Sequence, residues 1–141
     1  MKTTTFLTFV GDNCGKAEEA INFYTSLFPN SEVISIKKFE QGEPGGAPDL
    51  VKHGIFTLNG TEYMISENNF DHAWAISPGV SIYVQSPSEE EIDRLFAGLS
   101  SNGQVMVPLD NYETGDFILG KKFGWCADKY GLSWQFFLTE E

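Results

Sequence analysis

Two histidines and two cysteines are the only imidazoles and thiols among the 141 residues. His53, in "VKHGIF", sits inside an alternating apolar run. An imidazole as a residue type can take or give a proton near neutral pH, so His53 is a candidate catalytic group. A hydrogen-bonded strand histidine with a structural role fits the same position. His72, in "NFDHAW", falls in an irregular link and is expected to be exposed. Cys126, in the apolar "FGWCAD", reads as a small buried side chain. Cys14 lies near a helix start, where a thiol pKa can fall. The two do not form a CxxC pair, so no disulfide framework is expected. Glu67 closes an alternating strand and is expected as a solvated carboxylate that could swing inward. Gln135 stands mid-strand in "LSWQFFL". A neutral amide oxygen can join a metal shell, but it cannot hold zinc or iron without stronger partners. No HxxxH and no His/Glu pair at ligand spacing is present.

Periodicity defines the elements that would position these groups. Thr3–Val10 reads as a strand of Thr and aromatic residues. In the following segment Ala17, Ala20, Ile21, Tyr24, Leu27 and Phe28 form one apolar stripe at helical spacing. Glu18 and Glu19 suit its first turn, and Pro29-Asn30 ends it. Three strands follow, "SEVISIKKFE", "LVKHGIFTL" and "TEYMISE", the last two joined by the hairpin signal Asn59-Gly60. After a link over 68–78 the order repeats. The strand "GVSIYVQ" precedes a helix with Ser88 and Glu91 as a capping box and Ile92, Leu95, Phe96 and Leu99 as its stripe. Asn102-Gly103 ends that helix, and "QVMVPL", "ILGKKFGWCAD" and "LSWQFFL" are the last strands. The chain therefore reads as α+β: two tandem βαβββ units, about 1–70 and about 78–141, in one domain over 1–141.

Composition sets the wider class. The net charge of −11 argues against nucleic acid and anionic membranes, and is compatible with a neutral or cationic ligand. No apolar run approaches the roughly 20 residues that cross a bilayer. The first residues lack the pattern of a signal peptide. A cytoplasmic protein is expected.

Three stretches carry a family resemblance: "FVGDNCGKAEEAINFYTSLFPNSEV", "DLVKHGIFTLNGTEYMISEN" and "GKKFGWCADKYGLSWQ". Together with the doubled βαβββ order they resemble the PhnB-like branch of the vicinal oxygen chelate superfamily. That branch also carries the name 3-demethylubiquinone-9 3-methyltransferase. The superfamily includes glyoxalase I, extradiol dioxygenases, and the fosfomycin- and bleomycin-resistance proteins. The resemblance implies curved mixed sheets around a concave cavity, and a homodimer. It implies no single reaction, because the fold hosts many. Metal-dependent members hold a divalent ion on His and Glu from the first and last strands of each unit. Here the matching positions read Thr5, one of Met64, Ile65 or Ser66, Gly79 or Ser81, and Gln135, which stands where the turn pattern puts Glu. No metal and no cofactor is therefore expected, with His53, Glu67 and Gln135 as the alternative ligand set. Methyl transfer is not expected, because no strand–GxGxxG–helix unit is present.

Strand alternation gives a cavity lining. Thr5, Leu7, Phe9, His53, Ser81, Tyr83, Gln135 and Phe137 are the expected ligand-binding residues, with Val80, Ile82 and Val84 turned toward the helices. Such a lining suits a small aromatic or cationic molecule bound without metal. The alternative is a metal-dependent lyase, isomerase or dioxygenase. The loops over 40–49 and 109–117 are long enough to be lids, the second carrying Tyr112, Glu113 and Asp116.

Overall fold

The computed structural model describes residues 1–114 and 119–140. The chain forms two compact units, Met1–Ile76 and Ser77–Glu141. Unit one runs β1 (Thr5–Phe9), α1 (Ala17–Leu27), β2 (Glu32–Lys38), β3 (Val51–Leu58) and β4 (Thr61–Glu67). Unit two runs β5 (Ser81–Ser86), α2 (Glu89–Ser100), β6 (Gln104–Tyr112), β7 (Gly120–Ala127) and β8 (Ser133–Leu138). The βαβββ order is thus present twice. Each unit is a four-stranded mixed sheet, β1-β4-β3-β2 and β5-β8-β7-β6. One edge pair of each, β1 with β4 and β5 with β8, is parallel, and the remaining pairs are antiparallel.

In unit one α1 buries Ala17, Ala20, Ile21 and Tyr24, the stripe that its periodicity marks. Leu7, Phe9, Phe56 and Ile65 receive it from the sheet. Gly54 lets the helix approach: a Cβ there would lie 3.0 Å from Ile21 Cδ1 and 2.9 Å from Ile65 Cγ2. Unit two repeats the device. α2 buries Ile92, Leu95 and Leu99, and a Cβ on Gly124 would come 2.8 Å from Phe96 Cε2. Trp134 and Phe136 are fully buried on that side.

The turns explain the register. Asn59 and Gly60 both have positive φ, 49° and 83°, as a two-residue hairpin of matching twist requires. The capping box of α2 is half formed: Glu91 N–H donates to Ser88 Oγ at 3.2 Å, while Ser88 N–H donates to Ser86 Oγ.

Two expectations about loops change. The segment 40–49 is pinned rather than free to act as a lid. The ring of Phe39 lies against Gly46, the ring of Phe70 lies against Gly45, and Glu43 ion-pairs with Lys52. Asp110 and Tyr112, read as loop, are the end of β6, because the irregular pairing with β7 continues to Tyr112 opposite Gly120. Asp116 lies outside the described residues.

Candidate functional site

Glu67 is not solvated. It is 2% exposed, on the α1 side of its sheet. Its Oε2 accepts from Gly15 N–H at 2.6 Å and Ala17 N–H at 3.3 Å, and its Oε1 from Val51 N–H at 2.7 Å. Lys16, the N-cap of α1, makes no side-chain cap, so a carboxylate from β4 fills the helix N-terminus instead. Glu67 thus ties α1, β3 and β4 together. Sequence reasoning missed it because no local spacing links a strand end to a helix start 50 residues earlier. Cys14 lies nearby. Burial, then the charges of Glu67 and Asp49, push its thiol pKa up.

Unit two buries a carboxylate of its own, Asp128. It is 3% exposed and forms the turn before β8. Its Oδ1 accepts from Tyr130 N–H at 2.8 Å and Leu132 N–H at 3.1 Å, and its Oδ2 from Trp134 Nε1–H at 2.9 Å. Gly131 takes φ +89° in that turn. Cys126 is fully buried, and burial together with the Asp128 charge pushes its thiol up to about 12.

The face of each sheet turned away from its helix carries the remaining candidates. In unit one that face holds Phe6, Thr8, His53, Ile55 and Met64. The His53 ring lies 5.9 Å from that of Phe6, tilted by 49°. Leu7 and Phe9 are not on it. Both are buried on the α1 side with Ile65, and Thr5 shares their side by alternation. The expected register was one residue off, because Thr8 and Phe6, not their neighbours, alternate outward. His53 and Glu67 therefore lie on opposite faces of the sheet.

In unit two Ser81, Tyr83, Gln135 and Phe137 do share the face away from α2, as strand alternation suggests. Ser81 pairs with Ser133, Tyr83 with Gln135, and Trp125 with Gln135 across the strands. Ser81 Oγ and Ser133 Oγ are 2.6 Å apart, Trp125 Nε1 donates to Ser133 Oγ at 2.6 Å, and the Gln135 amide reaches Ser81 Oγ at 3.2 Å. The rings of Tyr83 and Phe137 stack at 6.3 Å, and Tyr83 is 47% exposed. Burial raises the Tyr83 pKa, so its phenol stays protonated near neutrality. The Phe137 ring is seated on Gly120, where a Cβ would come within 2.5 Å of it. A cavity of about 510 Å³ adjoins that ring, lined also by Glu113, Lys121 and Thr139. Trp125 and Ser133 were missed as site residues; their cross-strand pairing to Gln135 and Ser81 was the available signal. Val80, expected to face the helix, precedes β5 and is 75% exposed. His72 is exposed as expected, bonded through Nε2 to Asn68 Oδ1 and lying against Trp74.

Residues 1–137 match the 3-demethylubiquinone-9 3-methyltransferase family. The chain belongs to that family. A PhnB protein from Bacillus cereus bearing the same methyltransferase name is 45% identical over 99% of this chain and 100% of its own, with a TM-score of 0.86. Protein PA1353 from Pseudomonas aeruginosa is 24% identical, covering 96% of each chain, with a TM-score of 0.75. A point mutant of the fosfomycin resistance protein FosX from Listeria monocytogenes, complexed with Mn(II) and a dihydroxypropylphosphonic acid, shares the fold at 12% identity, 99% and 94% coverage and a TM-score of 0.60. The chain thus has the two-unit α+β fold of the vicinal oxygen chelate superfamily. No curated protein matches it.

The donor set of this member of the family does not fit the divalent ion named for FosX. Among the described residues no three of His, Cys, Asp and Glu come together. Glu67 and Asp128 already accept three N–H groups each. The position of the expected carboxylate in β8 is the neutral Gln135. No helix of the described residues is long and apolar enough to cross a membrane.

Proposed function

We propose that the helix-free face of unit two binds a small aromatic molecule without a metal ion. The observation that carries this is the run of Trp125, Ser133, Ser81 and Gln135, which ends beside the stacked rings of Tyr83 and Phe137. A flat ligand stacks on such rings and meets one fixed polar group. The adjoining cavity of about 510 Å³ is of small-molecule size. The net charge of −11 favours approach of neutral or cationic molecules over anions.

Methyl transfer, the activity in the family name, lacks support from this chain's residues. A helix N-terminus after a glycine turn could hold a cofactor carboxylate. At α1 that place is taken by Glu67, and at α2 by the Ser88 cap with Glu89, Glu90 and Glu91 around it. The Pro44–Gly46 glycines are packed under Phe39 and Phe70. We further place the protein in the cytoplasm as a homodimer. Its two free cysteines suit a reducing compartment.

Thermal-shift screening in chelator tests the binding role. A small aromatic should stabilise the native protein, and Tyr83→Ala should remove that shift while leaving the melting temperature without ligand nearly unchanged. Stabilisation by divalent ions alone would overturn the proposal. A monomeric mass by light scattering would overturn the dimer.

A further inference from the structure

The polar run in unit two has a direction, and the direction fixes which kind of group Gln135 offers. Trp125 Nε1 lies 2.6 Å from Ser133 Oγ, Ser133 Oγ lies 2.6 Å from Ser81 Oγ, and the amide of Gln135, nitrogen end nearest, lies 3.2 Å from Ser81 Oγ. An indole N–H can only donate. Ser133 therefore accepts at that end. Ser133 is fully buried, and Ser81 is the other side-chain partner its hydroxyl has among the described residues. Its proton must go to Ser81, since a buried hydroxyl proton left without an acceptor is costly. Ser81 then accepts from Ser133 and has one proton of its own to place. The remaining side-chain neighbour among the described residues is the Gln135 amide.

With the amide nitrogen toward Ser81, two donors converge on Ser81 and its own proton meets no side-chain acceptor among the described residues. With the oxygen toward Ser81, every donor meets an acceptor, in one unbroken sequence from indole to amide. The two ends of an amide have the same size, and the hydrogen-bond network decides between them. We infer that Gln135 turns Oε1 to Ser81 and presents its NH₂ group outward beside Tyr83 and Phe137. Gln135 is then the specificity-determining residue of this face. It selects aromatic ligands that bring a hydrogen-bond acceptor. A neutral carbonyl suits it better than a carboxylate, which the net charge of −11 disfavours.

The inference rests on the binding role proposed above for the same face, and one experiment separates the two. Protein labelled with ¹⁵N is titrated with acetophenone and, separately, with benzylammonium, following the Gln135 side-chain amide and the rings of Tyr83 and Phe137. Without ligand, no strong nuclear Overhauser effect is expected between the Gln135 NH₂ protons and Ser81 Hβ. Acetophenone should shift the Gln135 NH₂ signals and bind about tenfold more tightly than benzylammonium. Ser81→Ala, which frees the amide to turn, should shrink that preference. A strong Overhauser effect to Ser81, or tighter binding of benzylammonium, would overturn the inference. If both probes move Tyr83 and Phe137 while Gln135 stays still, the binding face stands and the inference falls. If neither moves the rings, the binding face fails and the inference with it.

Discussion

Gly54 pairs with Ile65 in unit one, and Gly124 pairs with Phe136 in unit two, each glycine under its helix. Counting along the strands from those anchors brings the two helix-free faces into correspondence. Phe6, Ile55 and Met64 of unit one stand where unit two carries Tyr83, Trp125 and Gln135. The backbone pairing is the same, but the chemistry is not. At these positions unit one offers apolar side chains, with His53 and Thr8 elsewhere on the same face, while unit two offers rings with a directed polar run. Their carboxylates also differ in reach. Glu67 joins residues 52, 50 and 16 positions away, whereas the Asp128 carboxylate accepts from residues 2, 4 and 6 positions away. The two units thus share an element order and strand pairing but differ in where they place their polar groups. A shared fold alone therefore does not identify a shared site.

The largest test of this contrast is Glu67→Ala. Three N–H donors in a buried place lose their acceptor, so urea unfolding should show a loss of about 3–5 kcal/mol. Hydrogen exchange should rise at Gly15, Ala17 and Val51 together, because one side chain joins three segments. Asp128→Asn should cost less, about 2–3 kcal/mol. The amide oxygen can still accept from Tyr130 and Leu132, while its NH₂ opposes the Trp134 indole N–H. Faster exchange should stay within 128–134. If Asp128→Asn proves the more damaging, the distinction between a long-range tie and a local turn is wrong.

Local patterns made most of the fold legible. The stripe from Ala17 to Tyr24 and the one from Ile92 to Leu99 are the buried helix faces, and Asn59-Gly60 is the hairpin turn. The side of the sheet each residue takes was legible only in unit two. There Ser81, Tyr83 and Gln135 alternate against the buried Trp134 and Phe136, a contrast strong enough to set the face. In β1 Leu7 and Phe9 are apolar on one face and Phe6 adds an apolar residue on the other, so alternation does not choose. Leu7 and Phe9 were assigned to the wrong side for that reason. Glu67 was illegible for a different one, since its partners are backbone N–H groups, which carry no sequence signature.

A third difference is the buried thiol, which only unit two has. Cys126 keeps its proton in the folded protein until about pH 12, against 9.0 for an unperturbed thiol. Between those values the unfolded chain binds fewer protons than the native one, so stability falls as pH rises, by up to about 1.4 kcal/mol per pH unit from this group. Below pH 9 the contribution is fully present. Comparing unfolding of wild type and Cys126→Ala from about pH 8 to about pH 11 isolates it, and the variant should show the shallower decline. Equal slopes would mean that the thiol titrates alike in both states.

The smallest effect concerns how each helix begins. α2 is capped from the residue beside it, since Ser88 Oγ accepts from Glu91 N–H, whereas α1 is capped from β4 by Glu67. Ser88→Ala removes one exposed acceptor from a helix that keeps Glu89, Glu90 and Glu91 in its first turn. Those carboxylates interact favourably with the helix dipole whether or not the cap is present. The loss should be about 1 kcal/mol, read as a lower urea midpoint with an unchanged slope. A loss as large as that of Glu67→Ala would mean that the local cap also holds unit two together. The contrast between a cap that starts a helix and one that joins a sheet to a helix would then disappear.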